Sequence, residues 1–170
     1  MRTRLILVLL GTAVCATGAE RPPFYLDGGW GYPAHGDTRN ATTPHGYHIG
    51  AGYADNETGV VGYPAVDFDW THCSGPGESK MDIYSIDYAE RVPISDGFYV
   101  GAGLGTFYEK VHITDPDGTT HGGNAFRIGG RAMAGIGIND MIFVEGTYFY
   151  SGKIGGVETS VVAVCLGIWF

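Results

Sequence analysis

The chain has 170 residues, a formal net charge of −8, 44% hydrophobic residues and 29 glycines. Its acidic balance excludes nucleic acid as a natural partner. The glycines keep no Gly-X-Y period, which excludes collagen, and three cysteines are too few for a disulfide scaffold.

Arg2 and Arg4 precede an apolar run over residues 5–10, followed by the small residues Ala16, Thr17, Gly18 and Ala19. This is the layout of a cleaved export signal, read over residues 1–19 with Ala16 as the alternative cleavage point. The run is too short to cross a bilayer as a helix, which takes about 20 residues. Loss of Arg2 and Arg4 takes the net charge from −8 to −10 and leaves one domain over residues 20–170.

From residue 24 onward the segments with a clear period alternate at two, which predicts an all-β chain. The strands read from this pattern are 24–32, 46–54, 60–70, 81–89, 98–109, 125–138, 142–151 and 159–170. In the fifth, Phe98, Val100, Ala102, Leu104 and Thr106 share one face, and Tyr99, Gly101, Gly103, Gly105 and Phe107 share the other. In the sixth, an apolar face opposes Arg127, Gly129, Arg131, Met133, Gly135 and Gly137. The last strand is apolar on both faces and ends on Trp169 and Phe170.

The connections separate a membrane barrel from a soluble sandwich. Segments 33–45, 71–80, 110–124 and 152–158 read as long loops on one side, and 55–59, 90–97 and 139–140 as shorter links on the other. That parity predicts an eight-stranded antiparallel up-and-down transmembrane β-barrel, with the long loops outside the cell. Eight strands leave a lumen that side chains fill, so inward glycines make room for a few large groups. Arg127, Arg131, Glu145, Asp67, Asp69 and Asp87 are expected to pair across that lumen, where an unpaired charge would be costly. Aromatic girdles are expected from Phe24, Tyr25, Tyr88, Phe98, Phe143, Trp169 and Phe170 at one interface. Residues such as Trp30, Tyr47, Trp70, Tyr108 and Tyr150 would form the other.

With its export signal, the Gly-rich strand from Tyr99 to Gly105 and the terminal strand from Val161 to Phe170, the chain resembles the small outer-membrane barrels of OmpA/OmpX type. The resemblance implies residence in the outer membrane among its lipid and lipopolysaccharide. It also implies that the barrel assembly machinery reads Trp169 and Phe170.

No cofactor, metal or catalytic motif is intact. The six histidines, His35, His45, His48, His72, His112 and His121, fall in or beside the long loops without a tight ligand spacing. Lipid A deacylases are barrels of similar size with a His-x-Ser-Asn motif. Here Phe149-Tyr150-Ser151-Gly152 lacks the His and His121-Gly122-Gly123-Asn124 lacks the Ser. Asp115-Pro116-Asp117-Gly118 reads as a turn. A structural or surface-interaction role is expected, with a lipid A-modifying enzyme or a narrow channel as alternatives.

Overall fold

A computed structural model describes residues 22–42, 46–55, 59, 61–115 and 117–170; the expected export signal and His45 lie outside them. In chain order the elements are β1 (Phe24–Pro33), α1 (Gly36–Ala41), β2 (Gly46–Ala54), β3 (Tyr63–Ser74), β4 (Lys80–Ser95), β5 (Phe98–Thr114), β6 (Thr120–Gly137), β7 (Ile142–Tyr150), β8 (Lys153–Ile154), β9 (Val157–Glu158) and β10 (Val161–Trp169). The eight long strands are paired antiparallel with their chain neighbours, and β10 pairs with β1 to close the barrel. Closure pairs every long strand on both sides, the condition for crossing lipid with strands, and the first half of β6, before Gly130, extends past β7 with β5 as its ladder partner.

The two-residue period sorts the side chains. Odd-numbered residues of β5, β6, β7 and β10 point inward and even-numbered ones outward. Leu104 is 71% exposed and Ile128 84%. So much bare apolar surface suits hydrocarbon rather than water.

Large inward rings are accommodated by glycines on the neighbouring strand. Tyr25 pairs across the ladder with Gly52, Tyr99 with Gly135 and Phe143 with Gly167. A Cβ at any of those glycines would collide with the ring opposite. This is the arrangement in which an aromatic ring covers a cross-strand glycine.

Several loop expectations are corrected. Segments 71–80 and 110–124 are largely strand, because alternation continues through Thr71 to Ser74 and through Val111 to Thr114. The connections there shrink to 75–79 and 115–119. The second closes with Gly118 at φ +84° and its amide donating to the Asp115 carbonyl at 2.9 Å. The Thr119 amide donates to Asp117 Oδ1 at 2.9 Å and holds that carboxyl below the usual aspartate range. At the opposite end the 90–97 link is mostly strand. β4 continues to Ser95 through a register shift at Pro93, whose missing N–H interrupts a regular ladder. The sharp reversal at Asp96-Gly97 needs the glycine, which has φ +75°.

The sequence period gave no sign of α1 or the β8–β9 hairpin. Together they cap the barrel end opposite Phe24 and Phe170. Thr38 Oγ1 donates to the Glu158 carbonyl at 2.8 Å, tying helix to hairpin. Ile154 packs with Val111 and Ile113 on the inner face of the extended β5. Arg39 anchors the helix, with its guanidinium 4.8 Å from the Tyr32 ring centre.

Candidate functional site: a charged belt inside the barrel

The lumen is layered. At the terminal end Tyr25, Ala54, Ala65, Phe143 and Trp169 form an apolar cluster. Towards the cap a larger cluster includes Cys73, Met81, Phe107, Val111, Phe149 and Ile154. Between them lies a belt of charged and polar side chains drawn from β1 to β7.

Arg131 on β6 is the centre of that belt. Its Nη1 lies 2.6 Å from Asp67 Oδ2, 3.1 Å from Asp69 Oδ2 and 3.3 Å from Asp87 Oδ1, and its Nη2 lies 2.9 Å from Glu145 Oε1. Arg91 on β4 is the second cation. It lies 3.4 Å from both Asp67 Oδ2 and Glu145 Oε2, and donates to the Tyr25 hydroxyl at 2.7 Å. The Tyr25 hydroxyl in turn donates to Asp67. Tyr99 donates to Glu145 Oε2 at 2.7 Å, and Thr147 to Glu145 Oε1 at 2.9 Å. Both guanidinium groups are almost fully buried. Desolvation of this size is offset only by such multiple charge-assisted bonds.

The belt continues to β1 and β2 through His48. Its Nε2 lies 3.2 Å from Asp69 Oδ1 and 3.5 Å from Asp27 Oδ1, and its Nδ1 2.8 Å from Thr71 Oγ1. Five of the six charges expected across the lumen, Arg131, Glu145, Asp67, Asp69 and Asp87, therefore meet in one network.

Arg127 does not join it. Its side chain is 37% exposed and lies 3.9 Å from Glu109, nearer the cap. One step of the alternation is one rung of the ladder, and two rungs carry Arg127 out of the belt. Arg91, Asp27, His48, Tyr25 and Tyr99 belong to the belt without having been expected there. Arg91 shares a face with Asp87 and Ala89, a signal hidden by ending the fourth strand at residue 89. His48 shares an inward face with Gly50 and Gly52, so it lies inside the barrel rather than in a loop.

The girdles also change membership. Tyr25, Phe143 and Trp169 point inward and are packed together, Tyr25 4.7 Å and Phe143 5.2 Å from the Trp169 ring. Of the terminal pair only Phe170 faces outward, 6.5 Å from Phe24. The girdle near the cap is a ladder across β2 to β6, running Tyr47, Trp70, Tyr84, Tyr108, Phe126, with ring centres 4.5 to 6.2 Å apart. Lys110 Nζ lies above it, 5.3 Å from the Tyr108 ring centre, where a long cationic side chain reaches for water.

At the cap, a cleft of 330 Å³ is lined by His35, Thr38, Asp115, His121, Lys153 and Glu158, among others. His121 Nε2 is 3.0 Å from Asp115 Oδ2. Ser151 donates to Glu109 and lies 3.1 Å from the Thr159 hydroxyl, so the hydrogen bonds described for it run to a carboxylate and a hydroxyl rather than to an imidazole. Cys73 and Cys165 are both free thiols and buried.

Residues 5–170 match the family described as outer membrane protein beta-barrel domain. No curated protein matches the chain. Among solved structures, Ail, the attachment invasion locus protein of Yersinia pestis, is 14% identical with a TM-score of 0.57, the match covering 89% of this chain and 100% of Ail. The same protein in complex with the heparin analogue sucrose octasulfate is 13% identical with a TM-score of 0.55, over 89% of this chain and 100% of that one. Neisserial surface protein A is 12% identical with a TM-score of 0.56, over 90% of this chain and 98% of its own. At such identities the likeness is one of fold.

Proposed function

Since the chain belongs to the outer membrane protein β-barrel family and resides in the outer membrane, we propose that it is a surface-interaction protein whose capped end meets a partner outside the cell. The observation that carries this reading is the unequal length of the strands. β4, β5 and β6 have 16, 17 and 18 residues, while β1, β2, β7 and β10 have 9 or 10. A tilted strand needs about 9–11 residues to cross the membrane. On β5 the stretch from Phe98 to Tyr108 meets that need, and Glu109 to Thr114 extends past the aromatic ladder by about 20 Å of strand. A barrel needing only to seal itself in lipid has no use for that extension or for the α1 and β8–β9 cap.

The alternatives fit less well. The apolar clusters above and below the belt fill the lumen, as expected of eight strands, which argues against a channel. The hydrogen bonds described for Ser151 run to Glu109 and Thr159, not to the imidazole that a His-activated serine nucleophile uses. Ail binds a sulfated heparin analogue, but a chain with a net charge of −8 is a poor match for a polyanion, so a neutral or basic partner surface is the better fit.

The test replaces residues 111–123 by an Asn-Gly turn joining Lys110 to Asn124, which are already cross-strand partners. Cells lacking the gene receive either form, and their attachment to surfaces coated with neutral or basic protein is measured. The trimmed form is expected to fold and reach the membrane but to lose attachment. Equal attachment by both forms, with both restoring detergent resistance, would assign the protein a purely structural role.

A further inference from the structure

We propose that the charged belt holds a zinc-class divalent cation between Asp27 of β1, His48 of β2 and Cys165 of β10, with Asp69 of β3, 3.2 Å from His48 Nε2, near enough to supply a fourth ligand on a small side-chain movement. The carboxylate, imidazole and thiolate atoms of Asp27, His48 and Cys165 lie within 4.8 Å of one another, and all three side chains are buried. Carboxylate oxygen, imidazole nitrogen and thiolate sulfur are the ligand types zinc takes. A tetrahedral ion with bonds of 2.0–2.3 Å sets its ligand atoms about 3.4 Å apart. The separations of 3.5 Å from His48 Nε2 to Asp27 and 3.2 Å to Asp69 are already of that size.

Three independent features point to a cation in this place. Among the described residues Asp27 Oδ1 has no hydrogen-bond partner, although its side chain is only 5% exposed and it lies 3.5 Å from His48 Nε2. Asp69 is divided in its duties: Oδ2 takes Arg131 at 3.1 Å and Ser85 at 3.3 Å, which leaves Oδ1 turned towards His48. The remaining feature is the balance of charge. Among the described residues the belt sets five carboxylates, Asp27, Asp67, Asp69, Asp87 and Glu145, against the guanidinium groups of Arg91 and Arg131, and they outnumber the cations even when His48 is counted as one. An excess of buried negative charge on this scale calls for a counter-charge in the same cavity.

The surroundings orient the ligands. With its proton on Nδ1, His48 donates to Thr71 Oγ1 at 2.8 Å and turns the Nε2 lone pair towards Asp27, Asp69 and Cys165. A second bond on the far ring nitrogen is the usual support of a metal-bound histidine. The ring is stacked on Phe149, with centres 5.6 Å apart. The space is kept by Gly50, where a Cβ would lie 2.7 Å from an oxygen of both Asp27 and Asp69. On binding, the Cys165 thiol gives up its proton to solvent and no redox change occurs.

The experiment refolds the full chain in detergent with zinc present, removes loose metal by gel filtration and measures zinc per chain. One zinc per folded chain is expected. Cobalt in its place is expected to show a thiolate-to-cobalt charge-transfer band that disappears in Cys165→Ser and persists in Cys73→Ser. Asp27→Asn is expected to weaken binding by about tenfold or more. His35, His72, His112 and His121 changed together to Ala are expected to leave both signals unchanged. Heat-modifiable migration on gels shows that each variant is folded, and Cys165→Ser, which exchanges one atom, serves where His48→Gln does not refold. Folded wild-type protein without retained metal overturns the proposal, as does a cobalt band that survives Cys165→Ser or a zinc count that falls with the four histidines outside the belt.

Discussion

Arg131 and Arg127 stand two rungs apart on one inward face of β6, and their environments differ enough to separate them by experiment. Arg131 meets four carboxylates within 3.3 Å and is almost fully buried. Replacing it with Ala leaves those carboxylates buried without their main partner, a change expected to cost about 3–5 kcal/mol. Arg127 is 37% exposed and its one described ion pair is at 3.9 Å, with the buried Glu109, which also accepts from Ser151, so Arg127→Ala is expected to cost less than the Arg131 change, about 1–2 kcal/mol. Urea unfolding of the two variants in phospholipid vesicles measures both. Comparable losses would mean that the belt does not depend on Arg131.

Trp169, the last residue of β10, and Phe170 after it face opposite sides of the barrel wall. Trp169 is 2% exposed and packed on Tyr25 and Phe143. Its truncation to Ala is expected to destabilise the refolded barrel by about 3–5 kcal/mol. Phe170 points outward and buries nothing of comparable size, so Phe170→Ala is expected to refold like the parent in vitro and to reach the outer membrane of cells in reduced amount. Refolding yield beside the membrane fraction of cells measures the two effects; normal membrane levels of Phe170→Ala would refute the proposal that Phe170 serves as an assembly signal. The pair also shows what was legible beforehand. Strand identity and the inward set Arg131, Glu145, Asp67, Asp69 and Asp87 could be read from a two-residue period, because that period places side chains on faces without reference to other strands. Which of two neighbouring aromatics faces lipid depends on the absolute phase of β10, and both of its faces are apolar. Asp27, His48 and Cys165 are separated by most of the chain. Only the closure of β10 on β1 brings them together, and no local spacing records it.

Placement of the whole molecule in lipid rests on the outer surface between the two aromatic belts. Leu104 is near the middle of β5, outward and 71% exposed, with Val100 and Ile128 among its outward-facing apolar neighbours on β5 and β6. A charge there would sit near the bilayer midplane, where Arg or Lys costs about 2–4 kcal/mol in a barrel and where the cost falls towards the interfaces. Leu104→Arg is therefore expected to lower stability in phospholipid vesicles by that amount. His112→Arg, on the same strand and face but past the aromatic ladder, is expected to change it by less than about 1 kcal/mol, because β5 has left the hydrocarbon by that point. The two substitutions share a strand, a direction and an added charge, so the difference between them isolates depth. Urea titrations of both variants in vesicles read it directly. Equal effects would mean that the apolar band does not coincide with the bilayer and that the strands extending past Tyr108 are not outside it.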